Sequence, residues 1–342
     1  MTRFIGKVLI LTLFMSHIAG CGSGGGGGGS TPIQSIQSVP LMNIQVMSGY
    51  GNLFAVAHLE STIGGTFREQ LKLFQQDSTK PDQLLDLGTL DLGIQDISSM
   101  ALNVTLSPDW AVVTMNNGIV DLVSLSTAPN YSLAATLLVN YQPDRCIASG
   151  NLLLTALNTS LEVYDISNPG SPILKKQLTL SAANTSLVAL PHGFYVITQN
   201  GYGYVDTTNP SNITLAEAVQ ADIKQSINAY LFGSKLYIGG PSRYAGKSKI
   251  ARVDVTTPTN PAVELINDQI PDAFGSFSYD NLGNYYIQTE PGVSRYNESS
   301  GSLTLTKKVT TGHNIPLNGE FYAYNDRFYL RDQETLLIYR MP

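Results

Sequence analysis

Charge is scarce in this chain. Of its 342 residues only 13% are Asp, Glu, Lys or Arg, about half the share of an average soluble domain. The balance is acidic, 20 Lys+Arg against 26 Asp+Glu for a formal net charge of −6, so the basic footprint of a nucleic-acid binder is missing. Cys21 and Cys146 are the only cysteines, too few for a disulfide scaffold or a four-cysteine zinc site. Tryptophan occurs once, at Trp110. No apolar run approaches the roughly 20 residues of a membrane-spanning helix. Neither heptads nor a helical stripe organise residues 31–342, and the glycines lack the three-residue period of collagen. What is present is 43% hydrophobic residues, enough to build a core and to exclude a disordered chain.

The N-terminus reads as a leader. Arg3 and Lys7 give a positive start, Val8–Met15 (VLILTLFM) an apolar stretch, and Ile18-Ala19-Gly20-Cys21 a small-residue end. Charged, apolar and small-residue parts in that order make a secretory signal. The last four residues resemble the lipobox of bacterial lipoproteins, with isoleucine in place of the usual leucine. The resemblance implies cleavage after residue 20 and acylation of Cys21, with palmitate-type chains anchoring the protein in a membrane. Gly22, where an aspartate would retain the protein at the inner membrane, implies the outer membrane. An ordinary cleavage site beside an unrelated cysteine is the alternative. Residues 22–30 (GSGGGGGGS) offer no side chains to pack and a reach on the order of 15–20 Å. The expected organisation is therefore a signal peptide over 1–20, a lipidated cysteine and tether over 21–31, and a folded body over 32–342. Cys146, the remaining thiol of the body, reads as a small buried hydrophobe on a strand.

The body repeats. Leu161–Pro169 is LEVYDISNP, Gly201–Pro210 is GYGYVDTTNP and Ile250–Pro258 is IARVDVTTP. Asp165, Asp206 and Asp254 each stand four residues before a proline, which is the pattern of a strand running into a turn. The carboxylate or the Ser/Thr after it caps exposed amides, and proline stops the ladder. Weaker copies put Gln75, Ser124, Asn297 and Arg340 at the aspartate position. The spacing, about 44 residues on average, divides the body into seven units. Several short strands per unit at that period signal a β-propeller, ahead of a β-solenoid. In the third unit the strands fall at Arg145–Ser149, Asn151–Ala156, Ser160–Asp165 and Ile173–Leu180. In the fourth they fall at Ser186–Leu190, Phe194–Thr198, Gly201–Asp206 and Ile213–Val219. The seventh has only Gly319–Tyr324, Arg327–Leu330 and Leu336–Arg340. Its outer strand is expected from the N-terminus, at Ile33–Val39, which closes the ring and removes an open edge. The prediction is an all-β, seven-bladed propeller with four-stranded blades.

The LEVYDISNPGSP stretch resembles the LVIVD-repeat family of β-propellers, which implies this architecture and brings no catalytic residues with it. One tryptophan cannot supply the Trp-bearing repeats of WD40 or quinoprotein propellers seven times.

Two units are longer than the rest, which places long loops at Glu60–Gln70 and Gly240–Lys249 on the face where inner strands begin. Arg243, Lys247 and Lys249 around Tyr244 make the second a basic patch on an acidic chain, and Phe67 and Arg68 lie in the first. These six are the candidate binding residues, since loops carry function more often than frameworks; ordinary solvated insertions are the plain alternative. A weaker candidate is a metal site from His58 and His313 with Glu60, unsupported by any HxH or HExxH spacing. His192 reads as an exposed turn residue. No catalytic triad is anchored by a GxSxG motif, and no cofactor motif is found. Tyrosine is plentiful, 18 in all and 14 of them from Tyr195 onward, and reads mostly as filler between sheets with hydroxyls at the rim. The expectation is a non-catalytic module, held to a membrane by lipid, presenting a propeller face to an envelope protein, peptide or glycan and not to nucleic acid. The alternative is an envelope hydrolase or lyase with its site in the central mouth.

Overall fold

Among the described residues of the computed structural model, twenty-eight short strands, separated by turns, account for nearly all the regular structure. The described residues are 34–341 except 42, 63–65, 78, 81, 96–99, 127–129, 140–141, 227, 243, 245, 272–275, 290–291, 300–301, 312–320 and 333. The expected leader, Cys21 and the glycine tether lie outside them, as do Arg243 and His313. No helix among the described residues is long and apolar enough to cross a membrane.

A first strand, β1 (Gln37–Pro40), precedes blade 1, which is β2 (Ile44–Tyr50), β3 (Leu53–Ser61), β4 (Phe67–Gln76) and β5 (Leu84–Gln95). Blade 2 is β6 (Ala101–Leu106), β7 (Trp110–Met115), β8 (Ile119–Ser124) and β9 (Ser132–Leu138). Blade 3 is β10 (Arg145–Ser149), β11 (Leu152–Leu157), β12 (Ser160–Asp165) and β13 (Ile173–Thr179). Blade 4 is β14 (Asn184–Leu190), β15 (Gly193–Thr198), β16 (Gly201–Asp206) and β17 (Thr214–Val219). A one-turn 3-10 helix, Ala221–Ile223, leads to blade 5: β18 (Asn228–Phe232), β19 (Lys235–Pro241), β20 (Ser248–Asp254) and β21 (Ala262–Ile270). Blade 6 is β22 (Phe277–Tyr279), β23 (Asn284–Thr289), β24 (Gly292–Ser299) and β25 (Ser302–Thr310), and blade 7 holds β26 (Phe321–Tyr324), β27 (Arg327–Asp332) and β28 (Thr335–Arg340).

Each blade is an antiparallel four-stranded sheet in sequence order, except that the last runs β1, β28, β27, β26. The N-terminal strand is thus the outer strand of blade 7, pairing Gln37 with Ile338 and Pro40 with Thr335. It starts a few residues later than the sequence suggests, with the Ile36 amide already bonded to the Ile338 carbonyl at 2.8 Å. The third and fourth blades match their expected strands to within two residues at each end.

Blades stack face to face, so a middle strand buries both of its faces and alternate residues enter different seams. In β15, Phe194 and Val196 join the cluster shared with blade 3, whereas Tyr195 and Ile197 join the one shared with blade 5. This is why the middle strands read as continuous apolar runs. Seven apolar clusters occupy the seven seams. Those of blades 1–2 and 3–4 are chiefly aliphatic, while Phe and Tyr fill those bounding blades 6 and 7. Tyrosine hydroxyls reach across: Tyr195 donates to the Pro258 carbonyl at 2.5 Å and Tyr322 to Gly51 at 2.6 Å.

The aspartates of the repeat act as the sequence suggests. Oδ1 of Asp165, Asp206 and Asp254 accepts the backbone amide two residues on, from Ser167, Thr208 and Thr256 at 2.9–3.0 Å. In blade 1 Gln75 stands at that position, and Asp77 takes over by holding the Thr79 amide at 2.7 Å.

Two expectations are corrected. Glu60–Gln70 and Gly240–Lys249 are not long loops. They are extensions of hairpin ladders: Glu60 pairs with Arg68, Ser61 with Phe67, Gly240 with Lys249 and Pro241 with Ser248. The extra residues lengthen the strands because the chain on either side of the turn keeps pairing.

Candidate functional site

The upper face of the ring, where inner strands begin, carries a cleft of about 490 Å³ lined by Arg145, Asn184, Thr185, Gln199, Asn200, Lys224, Gln225 and Ser226. Three blades build it. Arg145 opens β10, Asn184 and Thr185 open β14, Gln199 and Asn200 form the β15–β16 turn, and 224–226 lead into β18.

Backbone bonds between neighbouring blades fix this geometry. The turn of blade 3 places Asn158 in a left-handed conformation, φ 52°. Its carbonyl then accepts both the Asn184 amide and Asn184 Nδ2, each at 2.8 Å. The turn of blade 4 offers the Gln199 carbonyl to the Gln225 amide at 3.0 Å. Gln225 too is left-handed, φ 61°, a conformation costing roughly 1–2 kcal/mol in a residue with a Cβ. Ser226 is buried, its Oγ donating to the Ile223 carbonyl at 2.6 Å.

Lys249 bears on the same place, though not as an exposed patch residue. It is buried in β20 with Nζ donating to the Lys224 carbonyl, so it secures the segment from which the Lys224 side chain projects. Burial pulls its pKa down, against the opposing pull of Asp222 and Asp268. Tyr244 and Lys247 sit on the β19–β20 turn of the upper face, Tyr244 exposed and Lys247 half-buried. Their backbones close that turn, the Lys247 amide donating to the Tyr244 carbonyl at 3.1 Å.

The blade 1 candidates stand apart. Phe67 and Arg68 begin β4, separated from blade 5 around the ring by blades 6 and 7, and Arg68 pairs with Asp91. His58 lies inside β3 at 7% exposure and pairs with Ile44 of the inner strand. Among the described residues, no group of three or more His, Cys, Asp or Glu is placed to hold a metal. Cys146 is fully buried, as expected, and burial pushes its thiol up to about 12.

Sequence reading missed two features. Glu69 and Asp121 are fully buried between blades 1 and 2, and desolvation raises them to about 8 and about 6. Glu69 falls inside the expected Glu60–Gln70 loop; its alternation with Leu71 and Leu73 is the signal in the sequence that it faces a seam. On the lower face, a second cleft of about 360 Å³ runs between blades 3 and 4, with Asp165, Ser167, His192 and Thr208 in its walls.

Residues 145–179 match the LVIVD repeat family model, a span that coincides with blade 3. No curated protein matches the chain. Among solved structures, a chain of the mitotic checkpoint complex is 13% identical, covers 94% of this chain and 99% of its own, and superposes with a TM-score of 0.60. Sqt1 of Saccharomyces cerevisiae is 12% identical over 91% of this chain and 99% of its own, TM-score 0.56. YCF48, solved bound to D1 peptide, is 14% identical over 90% of this chain and 97% of its own, TM-score 0.55. At such identities the likeness is one of fold.

Proposed function

We propose that this protein is a lipid-anchored lipoprotein of the bacterial cell envelope that binds a protein or peptide partner, without catalysis, through the upper face of its propeller. The observation that carries the reading is the cleft at the top of blades 3–5, a concave polar surface held by backbone bonds between separate blades. A rigid ring with such a surface is suited to holding a partner. YCF48, a structure of the same fold, is solved with a peptide bound. The lipobox-like Ile18–Cys21 and the glycine tether after it support anchorage, most simply in the outer membrane. The buried carboxyls do not favour the hydrolase reading, because Glu69 and Asp121 are sealed in a seam at 0% exposure.

The test is in two parts. Cys21→Ser should move the protein from the membrane fraction to the soluble fraction, and continued membrane association would refute the anchor. In-cell crosslinking of the anchored protein should capture a specific envelope protein, lost when Arg145 and Lys224 are both changed to Gln. Capture of a glycan in place of a protein would redirect the reading.

A further inference from the structure

The lining of the upper cleft has a definite polarity. Two cations, Arg145 and Lys224, line it together with amides and hydroxyls, and no carboxylate is among the described lining residues. That is notable in a chain of net charge −6. The nearest acid to Arg145 is Asp144, whose oxygen stands 3.6 Å from the guanidinium. The two form an ion pair too long for a hydrogen bond, which leaves the in-plane N–H groups of the guanidinium to offer a bidentate acceptor. Asp222 and Asp268 act on Lys249 beneath, whose ammonium is already committed to the Lys224 carbonyl.

A second observation asks for the opposite partner. Asn184 is 6% exposed, and its Nδ2 donates to the Asn158 carbonyl, which fixes the amide: a flip would set two oxygens against each other. Oδ1 is then a buried acceptor without a hydrogen-bond partner. A buried polar atom left in that state costs free energy until a donor arrives. The Thr185 and Ser226 hydroxyls already donate to the Ile197 and Ile223 carbonyls, so neither has a proton left for Asn184 Oδ1.

The cleft therefore wants a ligand with an anionic acceptor at one end and an N–H donor close by. From this juxtaposition of Arg145 and Lys224 with Asn184 Oδ1, we infer that the cleft binds an acidic peptide segment. A side-chain or C-terminal carboxylate lies on the two cations, and a main-chain N–H fills the Asn184 acceptor. This rests on the peptide-binding reading above and names the chemistry of the partner. A volume of about 490 Å³ is within the usual range for a compact ligand site, room for a few residues and not for a folded domain.

Lys249 is a positioning residue in this account. By tying down the Lys224 carbonyl it keeps the left-handed Gln225 and the Lys224 side chain at the rim.

The experiment is fluorescence anisotropy on the full-length protein in detergent, with three labelled eight-residue probes. They are (Ser-Glu)4 with a free C-terminus, (Ser-Gln)4 with an amidated one, and (Ser-Glu)4 with its backbone nitrogens methylated. The acidic probe should bind at least about 10-fold tighter than the neutral one. Its binding should weaken as salt rises from 50 to 300 mM, because exposed charges are screened. Arg145→Gln and Lys224→Gln should each weaken it by about 3- to 10-fold with unchanged melting temperature, and N-methylation should weaken it without altering the protein at all. Equal binding of acidic and neutral probes, indifferent to both substitutions, would overturn the acidic class while leaving peptide docking in place. If neither probe binds, the inference fails, and the in-cell crosslinking decides the wider reading separately.

Discussion

Glu69 of β4 and Asp121 of β8 enter one seam from opposite sides, each without solvent exposure. Glu69 alternates with Leu71 and Leu73, and Asp121 with Val123, all facing the aliphatic cluster between blades 1 and 2. The Ala101 amide favours the ionised form of Glu69, and the Asp121 charge opposes it. Thr136 donates to Asp121 Oδ1 at 2.5 Å, while neither Glu69 oxygen accepts a hydrogen bond of normal geometry. Tyr131 packs against the same cluster and is itself raised by burial.

The pair sets a pH dependence with a definite sign. Both carboxyls hold protons more tightly folded than unfolded, so their contribution is fully present below about pH 4. It declines as pH rises through 6 for Asp121 and through 8 for Glu69. Ionising Glu69 in place should cost on the order of 2–4 kcal/mol. Melting temperature should therefore fall between pH 5 and pH 9, and Glu69→Gln should flatten much of that fall. A variant whose melting curve keeps the wild-type slope would show that Glu69 is not the group responsible.

Removing residues 31–40 should destabilise the ring. The deletion takes away β1 and exposes the edge of β28, whose Leu336, Leu337 and Ile338 are buried. The loss is expected on the order of 2–4 kcal/mol, read as a lower urea midpoint. An unchanged midpoint would mean that blade 7 is stable with three strands.

Gly49 is a close-approach position. A Cβ there would overlap the Tyr322 ring of blade 7, which stacks against Phe54 and donates to the Gly51 carbonyl. Gly49→Ala should cost about 1–3 kcal/mol through overpacking. Gly51→Ala, at φ 57° in open space, should cost only the backbone strain, about 1 kcal/mol. The ordering of the two urea midpoints is the check.

Cys146 should be chemically silent. Its burial and its thiol near 12 keep the reactive thiolate negligible at neutral pH. In the Cys21→Ser background a thiol-reactive chromophore should label no cysteine in the native protein and one after denaturation. Labelling at a rate independent of unfolding would place the thiol nearer the surface.

Blade 3 was legible almost to the residue because its signals agree. An Asp-x-Ser turn, a proline and short apolar runs all mark the same boundaries around Asp165. The ring closure was legible too, because the seventh unit shows three strands and the N-terminal Ile33–Val39 stretch offers a fourth. The extended hairpins were not. Gly64, Gly65 and Gly246 read as loop residues, and nothing local reveals that Glu60 goes on pairing with Arg68. The upper cleft was hidden for another reason. Its residues come from strand starts and turns of three separate blades, each an ordinary polar stretch alone, and only the radial arrangement turns them toward a common space. The charge of Lys249 reads as surface patch, whereas its reach to the Lys224 carbonyl is what matters.

The pairing of Gln37 with Ile338 spans about 300 residues of sequence. A ribosome makes β1 early and β28 late, so six sheets can assemble while the seventh still waits for its partner strand. The closing pair cannot form before β28 has been made, whereas every other sheet draws on consecutive strands, and so distant a contact belongs with the slow steps of folding. Until β1 docks, the outer edge of β28 stays open to pairing with another chain.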